Sequence, residues 1–444
     1  SKCSLIIHFS FGEKMTIKNW PRIIVLVDMN AFFASIEQAR NPNLIGKPIG
    51  ITNGIKGSCI ITCSYEARSY GIHTGMRVKE ARKLCPAFIQ IPSNPILYTK
   101  ISIGIMTILH EITPDIEVFS VDEAFLDMTH CKKIWDSPEN IGKKIKEKVF
   151  SVSGVHCSVG ISGDKTTAKY AAKLHKPNGL TIIHPWDAED ALKDVSVMEL
   201  CGINRGIGVF LAKRGIFTCG EVKKMPIGIL GQRFGNPGRR IWCMCQGKDP
   251  EKVKNNIKIP KTIGHGKVMP PNTRSKDVIY IYLIHMSEKV AQRLRRNALC
   301  AQRFFIGLKT NKGWIGSKQI KTMFPTNDGR QITVLCKSIL NQYWHGEGIY
   351  QVQVTALDPY HEKGQIDLFN KDNNKYHQLN KTIDCVNERY GEFTLASANL
   401  LNRTDMPNVI SPAWKPYGHR QTIFHTYKKN NKIIKKIFKL NKDS

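Results

Sequence analysis

The chain has 444 residues, 41% of them hydrophobic, so it can bury more than one core and several domains are expected. Lysine and arginine outnumber aspartate and glutamate by 66 to 36, and the resulting formal net charge of +30 favours a polyanionic partner. Because no apolar run approaches the roughly 20 residues of a membrane span, that partner is expected to be nucleic acid and not a membrane.

The N-terminal sequence and the cysteines indicate an intracellular protein. The apolar stretch in residues 1–14 is too short and interrupted for a secretory signal, and no small-residue cleavage pattern follows it. The 13 cysteines are odd in number and form no CxxC pair, which argues against a disulfide framework or a structural zinc site. We therefore expect a cytoplasmic location and free, mostly buried thiols.

The first predicted elements are a strand and a helix. Residues 23–27 are apolar and rich in β-branched side chains, which is typical of a buried strand, and this strand ends abruptly at Asp28. A helical pattern follows from Phe32 to Arg40. A carboxylate at the end of a buried strand needs a partner.

Two further acidic residues lie at the tip of a predicted hairpin. Residues 116–128 predict two short strands that meet near Asp122 and Glu123, and residues 155–162 predict another strand of the same sheet. If the first strand lies beside this hairpin, Asp28 joins the pair, and the repulsion among the carboxylates can be relieved by divalent cations. Hard oxygen ligands suit magnesium, and paired magnesium ions support nucleotidyl transfer. A solvated acidic turn with a strand-end cap is the alternative interpretation.

A helix predicted after residue 162 carries lysines on one face. Lys165, Lys169, Lys173 and Lys176 follow one another at spacings of four, four and three, and Pro177 ends the helix. A row of solvated surface charges is the default interpretation of such a stripe.

The second half of the chain predicts a helical region and another α+β unit. Residues 201–208, CGINRGIG, form a glycine turn between helical patterns, and residues 251–261 have the composition of a linker closed by a proline. Residues 263–357 return to alternating strands around a helix at 287–299. The sequence beyond Pro359 is polar and carries little pattern.

Longer strings carry more information than these single residues. They are LVDMNAFFASIEQ at 26–38, CSYEARSYGIHTGM at 63–76, FSVDEAFLDM at 119–128 and GISGDKTTAKYAAKLHKPNGL at 160–180. Together they closely resemble the bacterial Y-family DNA polymerases of the DNA polymerase IV and UmuC class, over about residues 23–359. The resemblance implies an α+β multidomain fold, a right-hand polymerase with palm, fingers, helical thumb and little-finger domain.

The resemblance also implies a set of domain boundaries. They are an N-terminal extension at 1–22, a palm at 23–31 and 94–183, fingers at 32–93, a helix-hairpin-helix thumb at 184–250, a linker at 251–262, a little finger at 263–359 and a C-terminal tail at 360–444.

The activity implied by the resemblance is template-directed DNA synthesis of low fidelity across damaged templates, within DNA repair and the SOS response. Asp28, Asp122 and Glu123 would be the catalytic carboxylates, and with the backbone carbonyl of Met29 they would bind two Mg²⁺ ions. Ser120 would support the hairpin.

Nucleotide contacts follow from the same strings. Tyr65 and Arg68 lie three residues apart and can point together at one phosphate group if their segment is helical. The resemblance places both on the incoming triphosphate, together with Lys176. It places Phe33 under the nucleotide sugar, where the ring would clash with a 2′-hydroxyl, with Phe32 beside it. A core phenylalanine is the alternative interpretation of Phe33.

The expected macromolecular partners are primer-template DNA and the bacterial sliding clamp. The expected substrates are deoxynucleoside triphosphates, and the protein is expected to be a monomer. Glycine amides of the thumb would bind DNA phosphate, as would two arginines of the little finger. These are Gly202, Gly206, Gly208, Arg293 and Arg296. The string QIDLF at 365–369 resembles a clamp-binding peptide in which Gln365, Leu368 and Phe369 fill a groove.

Two alternatives stay open. One is a non-catalytic DNA-binding accessory protein on the same fold, which the intact carboxylates disfavour. The other is a different magnesium-dependent nucleotidyl transferase or cyclase, which would need neither the thumb turn nor the little finger.

Overall fold

The computed structural model describes residues 20–54, 59–131, 134, 137–255, 259–361 and 371–401. The chain divides into two compact units between residues 256 and 257, inside the predicted linker at 251–262. The predicted boundaries between palm, fingers and thumb stay predictions.

The first unit combines short strands with helices. Its strands are β1 (Ile24–Met29), β2 (Ile49–Thr52), β3 (Ile60–Cys63), β4 (Ile89–Pro92), β5 (Ile116–Val118), β6 (Glu123–Asp127), β7 (Cys157–Ser162) and β8 (Leu180–Ile182). Its helices are α1 (Phe32–Arg40), α2 (Tyr65–Ser69), α3 (Val78–Leu84), α4 (Pro95–His110), α5 (Pro138–Ser153), α6 (Lys165–Leu174), α7 (Ala188–Leu192), α8 (Arg205–Ala212) and α9 (Ile227–Met244).

A sheet with the strand order β5-β6-β1-β7-β8 forms the centre of the first unit, and β3-β2-β4 forms a separate small sheet. β1 is buried on both faces because its side chains alternate between two cores. Val25 and Val27 belong to the large core, whereas Ile24 and Leu26 pack with Ala168 of α6. The predicted strands at 23–27, 116–128 and 155–162 are therefore confirmed, and they lie in one sheet as expected.

The last residues of the predicted N-terminal extension belong to this unit. Trp20 is buried, with its ring centroid 5.3 Å from that of His184. Arg22 donates hydrogen bonds to the backbone carbonyls of Asp249 and Glu251, at 3.2 and 2.9 Å. The expectation of an extension up to residue 22 is wrong for Trp20 and Arg22, because their side chains contact parts of the chain that are distant in sequence.

The second unit is an antiparallel sheet with helices packed on it. Its strands are β9 (Ile263–Thr273), β10 (Leu299–Thr310), β11 (Gly313–Thr326), β12 (Ile349–Ala356) and β13 (Tyr360–His361), and its helices are α10 (Lys276–Arg296), α11 (Gly329–Tyr343) and α12 (Lys371–Tyr390). The sheet order is β11-β10-β12-β9, and β13 pairs with β10.

The helix predicted at 287–299 is longer than expected and ends earlier. α10 begins after Ser275, whose hydroxyl accepts a hydrogen bond from the amide of Val278, so a capped N-terminus lies eleven residues before the predicted start at Ser287. Leu299 belongs to β10, because Ala298 adopts a left-handed conformation with φ of 51° that ends the helical path.

Residues 371–401 are part of the second unit, although the sequence suggested a polar tail from residue 360. Asp384 of α12 receives two hydrogen bonds from Arg295 of α10, at 2.7 and 2.8 Å, and Glu392 pairs with Lys289 at 2.8 Å. Leu400 is buried. Ion pairs hold much of this segment in place, which is why no apolar stripe in the sequence indicated it.

We expect Asp384→Asn to loosen α12. The change leaves Arg295, whose side chain is only 10% exposed, without its charge partner, and should cost about 2 kcal/mol of local stability. Hydrogen exchange of the α12 amides should therefore speed up by about 30-fold. Arg303→Gln removes a more exposed ion pair with Asp358 and should change exchange little. Unaltered α12 exchange in Asp384→Asn would show that the pair does not hold this helix.

Candidate active site

Two of the predicted carboxylates face each other across neighbouring strands. Asp28 on β1 is paired with Glu123 on β6 in the antiparallel register, so both side chains point to the same face of the sheet. That face is the one covered by α6, because Leu26 and Phe125, each two residues away along its strand, pack against Ala168. The turn before β6 therefore brings two acidic residues, 95 positions apart in sequence, into direct proximity.

Asp122 lies in the turn that precedes β6. Its backbone carbonyl accepts a hydrogen bond from the amide of Met29 at 2.9 Å, which ties the turn to the end of β1. Its carboxylate accepts a hydrogen bond of 2.6 Å from the hydroxyl of Ser120, the residue expected to support the hairpin. The structure thus brings Asp28, Met29, Asp122 and Glu123 together, as the sequence predicted.

The proximity of these carboxylates changes the ionisation of Asp122. Burial raises the pKa of Asp122 to about 6, the negative charge of Asp28 adds to the rise, and that of Glu123 adds less. The hydrogen bond from Ser120 acts in the opposite direction. At neutral pH Asp122 is therefore ionised although burial and the neighbouring charges disfavour the ionised form. Such a carboxylate is typical of functional sites.

Helix α6 supplies cations to the same face of the sheet. It packs directly on β7 at Gly160, where a Cβ atom would come within 2.1 Å of the Ala168 carbonyl oxygen and 2.3 Å of the Ala172 amide nitrogen. This close approach brings Lys169 to Glu123, with 2.5 Å between Nζ and Oε2. Lys169 is a site residue that its local sequence does not distinguish from a surface charge.

The other lysines of the stripe are also paired, and the expectation of a solvated row is wrong for Lys165 and Lys169 but right for Lys173, whose side chain is 59% exposed. Lys165 is 3% exposed and lies 2.8 Å from Glu117 and 3.8 Å from Glu251. Lys173 pairs with Glu199. The sequence could not reveal these pairs because every acidic partner lies at least 26 positions away in the chain.

The fourth lysine reaches the site from the loop after α6. Lys176 lies 2.6 Å from Asp28. The loop is held by buried Asn30, whose side-chain oxygen accepts a hydrogen bond from the Asn178 amide at 2.7 Å and whose side-chain nitrogen donates to Ser158 at 2.9 Å. Asn30 and Ser158 were missed by the sequence analysis, although both lie inside or next to the strings that carry the resemblance.

The segment with Tyr65 and Arg68 is helical, as the phosphate-binding prediction required. Ser64 caps α2 by accepting a hydrogen bond from the Ala67 amide at 3.3 Å, and the guanidinium carbon of Arg68 lies 4.7 Å from the centroid of the Tyr65 ring. Burial raises the pKa of Tyr65, Arg68 lowers it, and the charge of Asp28 raises it further. The tyrosine and arginine therefore lie together, within electrostatic reach of the carboxylates.

The aromatic pair at the start of α1 is buried. Phe32 is 3% and Phe33 6% exposed. The Phe33 ring stacks on Tyr98 with 4.4 Å between centroids and 13° between planes, and the Tyr98 hydroxyl donates a 2.7 Å hydrogen bond to Glu37. Phe33, five residues after Asp28, therefore rests on the Tyr98 ring, which is itself held by the hydrogen bond to Glu37.

The donor set fits divalent cations, but its side chains are turned toward other partners. Within the described residues, no group of three or more His, Cys, Asp or Glu side chains is arranged to hold a metal ion. Asp28 faces Lys176, Glu123 faces Lys169 and Asp122 faces Ser120. Burial and the negative charges of Asp28 and Glu123 raise the pKa of Asp122, and ammonium groups compensate the charges of the other two acids, so the site attracts positive charge.

The predicted glycine turn of the thumb is only partly a turn. Gly202 has φ of +100°, a conformation that favours glycine, but Gly206 and Gly208 lie within α8. Asn204 is the N-cap of this helix and accepts a hydrogen bond from the Ile207 amide at 3.0 Å. A Cβ atom at Gly208 would lie 2.1 Å from the sulfur of the flexible, exposed Met198 side chain, which would have to shift.

In the second unit, the two arginines predicted to bind DNA are largely occupied by the fold. Arg293 donates a 2.9 Å hydrogen bond to the Gly264 carbonyl, and burial lowers its pKa. Burial also lowers the pKa of Arg296 to about 10, whereas the charges of Glu392 and Glu388 raise it. These contacts favour a role in joining α10 to its neighbours.

Three further predictions concern the clamp-binding peptide, the cysteines and membrane spans. Gln365, Leu368 and Phe369 fall outside the described residues. The cysteines of the described part form no disulfide bonds with one another, and most are buried. Among its helices, none has the length and apolar character needed to cross a membrane.

Comparisons with known proteins identify the family. A model of the impB/mucB/samB family matches residues 27–173, and a model of the C-terminal domain of that family matches residues 260–368. Together the two matches cover more than half of the chain, and the first includes every candidate carboxylate.

Individual proteins agree with these models. DNA polymerase IV of Moorella thermoacetica is 33% identical over 377 residues, which cover 83% of this chain and 94% of that protein. DNA polymerase IV of Lactococcus lactis subsp. cremoris MG1363 is 38% identical over 288 residues, covering 64% and 79%. A solved Y-family DNA polymerase chimera of Dbh and Dpo4 is 26% identical, covers 77% of this chain and all of its own, and has a TM-score of 0.67. The chain therefore belongs to the impB/mucB/samB family, the Y-family DNA polymerases of the DNA polymerase IV class.

Proposed function

We propose that this protein is a template-directed DNA polymerase that extends a primer across damaged template bases. Membership of the family supports the reaction, and the meeting of Asp28, Asp122 and Glu123 at one end of the central sheet is the observation that carries it. A non-catalytic accessory protein would have no use for three carboxylates kept close together at a cost in free energy.

We propose that the carboxylates and the Met29 carbonyl would hold two Mg²⁺ ions. When bound, such ions would lower the pKa of the primer 3′-hydroxyl and neutralise charge on the phosphates. Asp28 and Glu123 supply oxygens from facing strands, and Ser120 orients Asp122 through its hydrogen bond. Lys176 pairs with Asp28 and Lys169 with Glu123, and both lysines would have to release these carboxylates for the ions to bind.

Three side chains are proposed to bind the triphosphate. Arg68 and Tyr65 lie against each other on a short capped helix, and Lys176 projects from a loop held by Asn30. A guanidinium, a phenol and an ammonium provide donors without a competing negative charge. Their task is to orient the phosphates, and release of Asp28 by Lys176 would couple nucleotide binding to completion of the site.

The sugar is proposed to lie over Phe33, with Phe32 beside it. The stack on Tyr98 fixes the height of the Phe33 ring, so the ring cannot yield to an added 2′-hydroxyl. Discrimination against ribonucleotides would then depend on steric exclusion.

Binding of the primer-template is proposed to use phosphate contacts that carry no sequence information. In the first unit, amides at the N-terminus of α8, including that of Gly206, face no intrahelical acceptor and suit a phosphate group, with Gly202 in the preceding turn and Gly208 behind it. In the second unit, Arg293 and Arg296 in the last turn of α10 are proposed as DNA contacts, in addition to their role in joining α10 to its neighbours. The formal charge of +30 supports salt-sensitive binding.

Further proposals concern the setting of the enzyme. The peptide at Gln365, Leu368 and Phe369 would bind the bacterial sliding clamp, the protein would act as a monomer, and its location would be the cytoplasm. The family membership and the QIDLF string support them.

Primer extension tests the proposed function. We expect magnesium-dependent addition of deoxynucleotides on an undamaged template and continued extension past a single abasic site. The full-length protein would be assayed on both templates with each deoxynucleotide alone and with all of them together. Failure to extend the undamaged primer, by a protein that melts cooperatively, would reject the enzymatic function and leave a DNA-binding scaffold.

A further inference from the structure

The cation that pairs with Glu123 has two partners. The Nζ atom of Lys169 lies 2.5 Å from Glu123 Oε2, and the two side chains are 26% and 14% exposed. The same Nζ atom lies 4.5 Å from the centroid of the Phe119 ring. The ammonium group is therefore enclosed by a carboxylate and an aromatic face, and both favour its charge.

The backbone that carries Lys169 has little freedom. Asp164 caps α6 by accepting hydrogen bonds from the Thr167 amide at 3.0 Å and the Thr167 hydroxyl at 2.7 Å. Gly160 lets the helix lie directly on β7. Because the helix is fixed at its start and along its face, Lys169 can leave Glu123 only by changing its side-chain conformation.

Lys176 is in a different situation. It lies on the loop after α6, and it pairs with Asp28 at 2.6 Å. A bound triphosphate would offer this loop lysine several negative oxygens in exchange for one carboxylate. Lys169 lies one helix turn inside α6 and faces Glu123. At Glu123, a metal ion must therefore take the place of the lysine.

We propose that Lys169 is the resident counterion of Glu123 and competes with divalent cations for this carboxylate, so that it sets the metal affinity of the free enzyme. The proposal rests on the proposed function, which makes Glu123 a metal ligand. The ammonium group of Lys169 occupies carboxylate oxygens that a metal ion would need. The metal ion therefore binds more weakly, by the free energy needed to displace the ammonium group. Lys169 is thus a positioning residue that orients Glu123 and compensates its charge until a divalent cation replaces it.

A purely structural role for Lys169 predicts the opposite effect. If the lysine only kept Glu123 in the geometry that a metal requires, its removal would scatter the carboxylate and weaken metal binding. Competition predicts tighter binding, because the removed charge both blocked the oxygens and repelled the cation. The sign of the change in affinity therefore separates the two roles.

The experiment is a titration of the full-length protein with Mn²⁺, without DNA or nucleotide. Electron paramagnetic resonance measures the concentration of the free ion at each step. We expect Lys169→Met to lower the Kd for Mn²⁺ by about tenfold. Lys173→Met is the matched control, because Lys173 lies on the same helix face but pairs with Glu199, and its Kd should equal that of the parent. Unchanged or weaker binding in Lys169→Met would overturn the proposal.

Two further variants separate this proposal from the assignment of the site and from misfolding. Lys169→Gln keeps a hydrogen-bond donor for Glu123 without the charge, so it should fold like the parent and also bind Mn²⁺ more tightly. Asp122→Asn should lose the Mn²⁺ site. If Asp122→Asn binds like the parent, the metal assignment of the proposed function is wrong. If it loses the site while both Lys169 variants match the parent, only the counterion proposal is wrong.

Discussion

Replacing Asp122 by asparagine is expected to abolish primer extension and, at the same time, to stabilise the metal-free protein. Extension should fall by at least about a thousandfold, because the amide cannot supply the charge that the carboxylates concentrate beside the nucleotide. The amide oxygen can still accept the hydrogen bond from Ser120, so the turn should keep its conformation.

The gain in stability follows from the raised pKa of Asp122, which is about 6 in the folded protein against 3.8 for the free side chain. The folded state therefore binds the proton more tightly than the unfolded state, and this stabilisation is lost as the pH rises from about 4 through about 6. Asparagine carries no charge at any pH. The variant should thus be more stable than the parent by about 1 to 3 kcal/mol above pH 6 and similar to it below pH 4.

Thermal melts in EDTA across this pH range, with primer extension on the same preparations, measure both effects. Asp190→Asn makes the same chemical change at a side chain that is 86% exposed, and it should alter neither property. An Asp122→Asn protein that is inactive and also less stable at pH 7.5 would point to disrupted folding and would remove the support for a strained acidic site.

Much of the carboxylate site could be predicted from the sequence because its parts are local patterns. An apolar run that ends at Asp28 and a hairpin tip at Asp122 and Glu123 can be recognised from residues close in the chain. Their meeting could be inferred only if the two segments were neighbours in one sheet, which the register of Asp28 with Glu123 confirms. The family and the fold class are confirmed in the same way by the matches to known proteins.

The missed features depend on pairing between distant residues. Lys169 looked like a surface charge because its partner Glu123 lies 46 positions earlier, and nothing in the local pattern of α6 connects them. Asn30 joins β1 to a loop 148 positions away. α12 was missed because its attachment uses single acidic residues, such as Asp384 to Arg295, in place of a periodic apolar face.

Replacing Phe33 by alanine is expected to raise the use of ribonucleotides by at least about tenfold relative to deoxynucleotides. The ring is 6% exposed and rests on Tyr98 at 4.4 Å, so its position is set from below and it cannot move away from a 2′-hydroxyl. Alanine removes the obstacle and leaves room above Tyr98. The measurement is kcat/KM for a single deoxynucleotide and its ribonucleotide on the same primer-template.

The ratio of kcat/KM for the ribonucleotide to kcat/KM for the deoxynucleotide does not change when part of the protein is unfolded. Loss of a buried phenylalanine costs about 3 to 5 kcal/mol, but an inactive fraction lowers both constants equally and cancels in their ratio. Tyr98→Phe is the matched control, because it keeps the supporting ring and removes only the hydrogen bond to Glu37, so discrimination should persist. Phe33→Leu keeps more of the buried volume and should fall between the parent and alanine. If the alanine variant discriminates as strongly as the parent, Phe33 is a core residue of α1, and the sugar must be recognised by other groups.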